Sequence, residues 1–320
     1  MKKGTLVLSL DFELIWGIFD HVNIQDKVSY FDSTINVIPR MLDVFQKQDI
    51  HVTWATVGML FNENWEEWFS NFPEVLPTYQ NQNLNPYHYG EMHRNAGLDR
   101  FFFAPKLIKE IQSVPKQEVG THTYSHYYCL QSGQNRDQFD ADLAQAIKVA
   151  NAFSIKLDSL VFPRNQFNES YLAVCEKHRI KTVRTNPTSW YWNVNKPETL
   201  LTKIARTGDA YFPIGKKSYH PTTIAKGTII EQPTSRFFRP QSNINIFNST
   251  RIVRIKNEII AAAQNGAVYH LWWHPHNFGI DSEGALKALN EILSVYKHCA
   301  ETYGMESRNM RELAIPYLVE

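Results

Sequence analysis

Short apolar runs alternate along the chain with stretches whose apolar residues recur at helical spacing. Leu6–Leu10 is apolar except for Ser9, and His51–Val57 is rich in β-branched residues, so both predict strands. Further strand-like runs are Glu118–Thr121, Ser159–Phe162, Ile180–Arg184, Thr228–Ile230 and Val268–Trp273.

Helical patterns occupy most of the intervals between these runs. Between the first two strands, Ile35–Phe45 carries apolar residues at helical spacing, and Asp32 or Ser33 is the predicted N-cap. Later helical stretches lie at 139–150, 171–177, 252–259 and 285–302. Strands that alternate with helices predict an α/β fold, here a distorted (β/α) barrel of about seven parallel strands.

Two long segments interrupt this alternation, at about 61–103 and 186–226. Both are rich in aromatic residues, and loops of this length in a compact domain usually serve as lids or carry small elements of their own. No repeat or linker-like tract divides the chain. We therefore predict one catalytic domain over 1–320, with these two segments as insertions that wall in a substrate pocket.

Composition narrows the class of protein. The chain has 320 residues, a net charge of +1 and no basic stripe, so nucleic acid is not an expected partner. No apolar stretch approaches the roughly 20 residues needed to span a bilayer. The three cysteines are odd in number and widely spaced, which favours a reducing compartment. A cytoplasmic location is the resulting expectation, and the sequence does not indicate an oligomeric state.

Polar residues that can carry chemistry follow several predicted strands. In a parallel barrel these strand ends share one rim, where active sites gather. The first pair, Asp11 and Glu13, is notable because buried carboxylates are costly unless they are paired, hydrogen-bonded or bound to a metal. The others are His122, His126, Arg164, His274 and His276.

The motif HTYSH offers a partner for the two acids. His122 and His126 are four residues apart, and a helical turn would put both imidazoles on one face. Two histidines and one carboxylate leave open positions on a divalent ion, as in a hydrolytic zinc site, and a second carboxylate can then serve as general base. The alternative for HTYSH is a capped turn whose histidines are solvated. The alternative for Asp11 and Glu13 is that they cap the next turn or pair with Arg164.

Two further groups have candidate roles in such a site. His274 directly follows a strand and could protonate a leaving group, with His276 as a rival for that role. Arg164 could hold a catalytic carboxylate by a bidentate contact. Each of these residues could instead be purely structural.

The order of these motifs resembles that of the polysaccharide deacetylases, also called carbohydrate esterase family 4 or the NodB-homology family. SLDFE resembles the first motif, which implies that Asp11 is the general base and Glu13 a metal ligand, where the family usually has Asp. HTYSH resembles the second motif and implies that His122 and His126 are the other ligands.

The remaining motifs extend the resemblance to Phe278. FPRNQ is similar to a rearranged third motif, in which Arg164 would orient the base and Asn165 would lie near the substrate. SWYWN would supply a substrate-binding tryptophan, Trp190 or Trp192. LWWHPH resembles the last motif and implies that His274 is the general acid, with His276 beside the substrate.

The resemblance implies a metal-dependent hydrolase that removes an N-acetyl group from a sugar. One divalent ion is expected, zinc first, with cobalt, manganese or nickel as alternatives. We expect the substrate to be a small or carrier-linked precursor in surface polysaccharide synthesis. Three other hypotheses stay open: hydrolysis of a non-sugar amide on the same fold, a glycoside hydrolase that uses Asp11 and Glu13, and a non-catalytic sugar-binding protein.

Overall fold

The structure is a computed structural model that describes residues 3–187, 189–192, 199–209, 211, 217–220 and 228–318. Its strands are β1 Thr5–Phe12, β2 Val52–Thr56, β3 Gln117–Thr121, β4 Ser159–Val161, β5 Thr182–Thr185, β6 Ile230–Pro233, β7 Arg236–Phe237, β8 Val268–Trp273 and β9 Glu306–Arg308. Its helices are α1 Val28–Lys47, α2 Trp65–Ser70, α3 Pro86–His93, α4 Pro105–Ser113, α5 Arg136–Ala152, α6 Leu172–Lys177, α7 Leu200–Asp209, α8 Asn245–Gln264, α9 Ser282–Tyr303 and α10 Met310–Ala314.

All strand pairs between these elements are parallel, in the order β6-β5-β4-β3-β2-β1-β8-β7, and β9 pairs with β1. The two outer strands of this order, β6 and β7, are consecutive in the chain. At the junction between them, Thr234 N donates to Thr185 O at 3.0 Å and Ser235 N donates to His270 O at 2.8 Å. The segment therefore joins β5 to β8 and curls the sheet into a barrel.

Successive side chains of β1 point alternately into the barrel and into the core around it. Leu6, Leu8 and Leu10 belong to the large apolar core that the helices cover. Ser9 and Asp11 point the other way, because both contact the Arg184 side chain of β5, which is not a neighbour of β1 in the sheet. The carboxyl end of the interior is therefore polar, and the polar side chains that follow the strands converge there.

The opposite end of the barrel is closed by α10. Its Met310 and Leu313 pack with apolar residues that point inward from the strands. The Met310 amide donates to Thr53 Oγ1 at 2.8 Å, and Thr53 in turn donates to the buried Glu118 at 2.6 Å. Burial raises the pKa of Glu118. This plug removes one end of the barrel from solvent and leaves the carboxyl end as the accessible one.

The first aromatic segment, predicted as an insertion at about 61–103, is core rather than open loop. Trp68 is fully buried and stacks on Trp16, with ring centroids 6.2 Å apart. Trp16 Nε1 donates to Phe102 O at 2.9 Å. These rings brace the turn that follows β1, so their abundance reflects packing and not a sugar-stacking surface. Of the 41 residues of the second segment, 186–226, 19 lie outside the described residues.

The structure has the predicted fold but differs from the predicted bounds of two elements. The distorted (β/α) barrel is confirmed. The helix predicted at 285–302 is α9, and Gly304 ends it in the left-handed conformation. The predicted N-cap of α1 at Asp32 or Ser33 is wrong. The helix begins at Val28, because a short 3-10 helix capped by Asn23 runs directly into it. The sixth strand begins at Ile230 and not at 228, since its pairing with β5 starts there. The single-domain assignment stays a prediction.

Two further findings concern the cysteines and the helices. All three cysteines are buried and free. Among the described helices, none combines the length and the apolar character needed to cross a membrane.

The plug gives a first prediction. Leu313→Ala should lower the free energy of unfolding by about 2–5 kcal/mol, since it opens a cavity at the closed end of the barrel. Ile315→Ala is the matched control, because Ile315 is 57% exposed two residues further on and should stay within about 0.5 kcal/mol of the native chain. Urea unfolding measures both changes, and equal losses would show that α10 is not a core element.

Candidate metal centre

Asp11 lies at the carboxyl end of β1 and is held by an arginine from across the barrel. Arg184 donates from both terminal nitrogens to the two Asp11 carboxylate oxygens, at 2.6 Å each. Both side chains are almost completely buried. Burial by itself raises the pKa of Asp11, but the Arg184 cation, together with His122 and His274, outweighs burial and the net shift is downward. Asp11 is therefore an anion at neutral pH, fixed in orientation by a planar, two-point contact.

Glu13 follows two residues later, where the chain leaves the strand. Leu14 has a left-handed φ of 44°, which turns the backbone sharply into a short 3-10 helix over Leu14–Gly17. Gly17 is required at the end of that turn, because a Cβ there would overlap the Glu13 carboxyl group. The turn thus aims the Glu13 side chain inward, where it is 3% exposed.

Four histidine side chains surround the Glu13 carboxylate. His122 Nε2 and His126 Nε2 lie 3.4 Å and 3.1 Å from Oε2. His274 Nε2 and His276 Nδ1 lie 3.6 Å and 3.7 Å from Oε1. Burial favours the neutral carboxyl, yet His274, His122 and His126 together hold the pKa of Glu13 well below its usual range. The centre of the site is therefore an ionised carboxylate without direct access to water.

The loop that carries His122 and His126 corrects one prediction. The HTYSH segment is not a helical turn, because Thr123 and His126 adopt left-handed φ values of 63° and 57°. The buried Asp142 of α5 holds this loop, accepting from the Tyr124 amide at 2.7 Å and from the Ser125 amide at 3.1 Å. The two imidazoles meet because of this looped backbone and not because of helical periodicity.

The orientation of His122 points to a cation between it and Glu13. Its Nδ1 lies 2.8 Å from the Val161 carbonyl, which can only accept, so Nδ1 carries the proton and Nε2 has a lone pair. That Nε2 is buried, has no hydrogen-bond partner and faces a carboxylate oxygen. Two buried acceptors that face each other are costly unless a positive ion lies between them.

The distances also fit a divalent ion. Tetrahedral ligands at about 2.0–2.1 Å from zinc lie roughly 3.3 Å from one another. The 3.4 Å and 3.1 Å separations from Glu13 Oε2 match that spacing. Burial lowers the pKa of His126 to about 4, so its ring is neutral and can bind a metal at neutral pH. Glu13, His122 and His126 therefore form a group that could hold one ion.

Arg164 does not make the contact predicted for it. Its guanidinium pairs with Asp20 and lies over the Tyr128 ring, 4.6 Å from the centroid. Tyr128 Oη in turn lies 3.2 Å from His126 Nδ1. The Arg164 backbone has a left-handed φ of 53°, and the contacts described for its guanidinium are with Asp20 and Tyr128 and not with Asp11. Arg184 takes the predicted place, and Arg164 instead supports the far side of His126 through Tyr128.

His274 lies at the mouth of the site. Its side chain is 24% exposed, whereas those of Glu13 and His276 are nearly enclosed. Its Nε2 lies 3.8 Å from Asp11 Oδ2, between the two carboxylates. Edges of Trp272 and Phe237 flank the ring, with centroids 5.5 Å and 5.6 Å away. Among the side chains described here, His274 is thus placed to meet a molecule that enters the site.

The predicted substrate-binding residues have different locations. Asn165 belongs to the site, since its Oδ1 accepts from Arg184 at 3.2 Å. Trp190 is 60% exposed with its ring against Tyr191, and no contact described for it reaches the carboxylates. Trp192 is partly buried on the same short helix. Sugar stacking by either tryptophan stays a prediction.

Sequence reasoning missed Arg184 and Asp142. Each left a signal that could have been used. Arg184 ends the predicted strand Ile180–Arg184, and the ends of the other predicted strands carry the candidate residues of the site. Asp142 lies on the same face of α5 as the buried Phe139 and Leu143, where an uncompensated acid would be costly.

Comparison with known proteins identifies the class. The family model for polysaccharide deacetylase matches residues 25–183. That range includes His122, His126 and Arg164, and it excludes Asp11, Glu13 and His274. The chain belongs to the polysaccharide deacetylase family. It is therefore an amide hydrolase of the deacetylase class. No curated protein sequence matches it.

Solved structures share the fold. A Mycobacterium smegmatis protein described as a polysaccharide deacetylase is 14% identical, with a TM-score of 0.63 over 99% of this chain and 91% of that one. A Pseudomonas aeruginosa PAO1 protein described in the same way is 9% identical, with a TM-score of 0.59 over 97% and 89%. The allantoinase PuuE is 11% identical, with a TM-score of 0.56 over 97% and 89%. At these identities the likeness is one of fold.

The contact between Arg184 and Asp11 gives a second prediction. Arg184→Met should raise the pKa of Asp11, because the cation that lowers it is lost while the burial that raises it remains. Arg164→Met is the matched control and should leave that pKa unchanged, since its guanidinium pairs with Asp20. A carboxyl NMR titration of chelator-treated protein measures both. A rise in the Arg164 variant alone would contradict the assignment.

Proposed function

We propose that this protein is a metal-dependent hydrolase that removes the N-acetyl group from a small or carrier-linked sugar. The observation that carries the proposal is the buried Glu13 carboxylate facing the unprotonated Nε2 of His122. Membership of the deacetylase family supports the reaction type. A zinc ion held by Glu13, His122 and His126 would polarise the amide carbonyl and lower the pKa of its water.

Asp11 is suited to accept the proton of the attacking water. Arg184 keeps it ionised and fixes the direction of both oxygens. As the water oxygen bonds to the carbonyl carbon, its proton passes to an Asp11 oxygen. The bidentate contact also keeps Asp11 from turning toward a metal, which leaves Glu13 as the carboxylate ligand.

His274 is suited to complete the reaction. Its Nε2 lies at the open side of the two carboxylates, where a departing amine would lie. When the C–N bond breaks, a proton from His274 passes to the nitrogen, and acetate and a free amino sugar result. Trp272 and Phe237 flank this ring and offer an apolar edge for the sugar.

The charges in the site disfavour a glycoside hydrolase that uses Asp11 and Glu13. Such enzymes need one carboxyl group kept protonated, with a raised pKa, to protonate the leaving oxygen. Here the pKa values of both carboxyl groups are lowered. Hydrolysis of a non-sugar amide is the second candidate, because the allantoinase PuuE has a similar fold and would need the same chemistry.

A third prediction tests the function directly. Zinc-loaded protein should release acetate from a mono- or disaccharide N-acetyl glycoside faster than from chitin at equal acetyl concentration. A chelator should abolish release and added zinc should restore it, because the ion is part of the reacting centre. Release that survives chelation would contradict the metal. Faster release from chitin would contradict the small substrate, and turnover of a non-sugar amide alone would favour the second candidate.

A fourth prediction separates the two acids. Asp11→Asn should retain zinc and lose about 10²–10⁴-fold in turnover, since it removes only a proton acceptor. Glu13→Gln should weaken zinc binding, because a neutral amide replaces the charged ligand. The exposed Asp137→Asn is the control and should change neither quantity. Metal analysis and acetate release measure the set, and a reversed pattern would show that the two roles are exchanged.

A further inference from the structure

The Glu13 carboxylate has a second oxygen with its own pair of imidazoles. Oε2 faces His122 and His126, while Oε1 faces His274 Nε2 at 3.6 Å and His276 Nδ1 at 3.7 Å. Glu13, His274 and His276 each offer one ligand atom, all within 4.8 Å of one another. This is the donor set of the proposed zinc site repeated on the other side of one carboxylate.

The second pair of imidazoles is held rigidly. The rings of His274 and His276 lie parallel, with an interplanar angle of 5° and centroids 4.8 Å apart. His274 Nδ1 lies 3.3 Å from Asn277 Oδ1, which fixes the ring and leaves Nε2 directed at Glu13. Pro275 between the two histidines begins a short 3-10 helix over Pro275–Gly279. Ligands fixed in this way by their backbone and by an outer partner favour metal binding.

We propose that Glu13 bridges two divalent ions, one at Oε2 with His122 and His126, and a second at Oε1 with His274 and His276. The inference rests on the proposed function for the first ion and adds a site to it. A carboxylate that binds one ion through each oxygen suits two-metal sites, in which the ions lie about 3.5–4 Å apart.

The distances rank the two positions. Ligand atoms around a tetrahedral zinc lie roughly 3.3 Å apart. The histidine nitrogens at the first position lie 3.4 Å and 3.1 Å from Glu13 Oε2, close to that spacing. Those at the second position lie 3.6 Å and 3.7 Å from Oε1, which is further from it. His274 is also the most exposed of the four histidines. The second ion therefore binds more weakly than the first and fills its site only when metal is in excess.

The second ion has a consequence for turnover. It takes the His274 Nε2 that the proposed reaction uses to protonate the departing amine. Protein with two ions should therefore lose the contribution of the general acid, which is about 10²-fold or more. The site makes the enzyme sensitive to excess metal.

Metal counting tests the proposal. Chelator-treated protein is dialysed against rising Zn²⁺, and bound zinc is measured by elemental analysis. The native chain should bind one ion tightly and a second more weakly, while His276→Ala and His274→Ala should each bind only the first. His298→Ala is the matched control, since it removes an exposed histidine on α9 and should retain both ions. With Mn²⁺ as the probe, the two-ion protein should give a spin-coupled EPR spectrum, because one carboxylate joins the ions.

The outcomes separate this inference from the proposed function. One ion per native chain at saturating Zn²⁺ would overturn the second site and leave the first intact. Two ions that persist in both histidine variants, or an uncoupled Mn²⁺ spectrum, would also overturn it. A native chain that binds no zinc would overturn the proposed function together with this inference. Circular dichroism of the two variants, which remove different ligands, checks that a lost ion does not reflect a lost fold.

Discussion

The structure depends on keeping one ionised carboxylate, Glu13, buried at the carboxyl end of the barrel. A buried anion is tolerated only when neighbouring groups replace the water it has lost. Four imidazoles surround Glu13. Burial raises the pKa of Glu13, but three of them, His274, His122 and His126, hold it well below its usual range. Yet His122 presents a lone pair to it and not a proton. A cation between them would compensate both the negative charge of Glu13 and the lone pair of His122. We therefore interpret the arrangement as a metal site and not as a hydrogen-bonded cluster.

Around that centre, each functional group is held by a partner from a different part of the chain. Arg184 of β5 holds Asp11, and Asp142 of α5 holds the loop between His122 and His126. Tyr128 lies between His126 and the guanidinium of Arg164. Outer contacts of this kind fix the orientation and protonation of ligands, and their loss commonly weakens metal binding.

The two ends of the barrel differ in what fills them: polar side chains at the carboxyl end of the strands and a packed helix at the amino end. At the amino end of the strands, α10 and the buried Glu118 fill the interior. At the carboxyl end, the interior side chains are polar and His274 reaches solvent. The aromatic segment after β2 braces the turn that carries Glu13, through Trp68 on Trp16. Its rings therefore help to fix the position of Glu13.

The sequence determined the features that depend on local pattern. Alternating apolar runs predicted the parallel barrel, because each strand and helix must bury one face. Positions at strand ends brought Asp11, Glu13, His122, His126 and His274 to one rim, since parallel strands end on the same side. Family resemblance named the same residues from their motifs.

The tertiary structure decided what depends on contacts between distant residues. Sequence offered only Arg164 as the partner of Asp11, because only the curvature of the barrel carries Arg184 of β5 to face β1. It read HTYSH as helical, since spacing alone does not show the left-handed φ values that Asp142 stabilises. It treated His274 and His276 as rivals for one role. Only the direction of both rings toward Glu13 Oε1 showed that they form a pair.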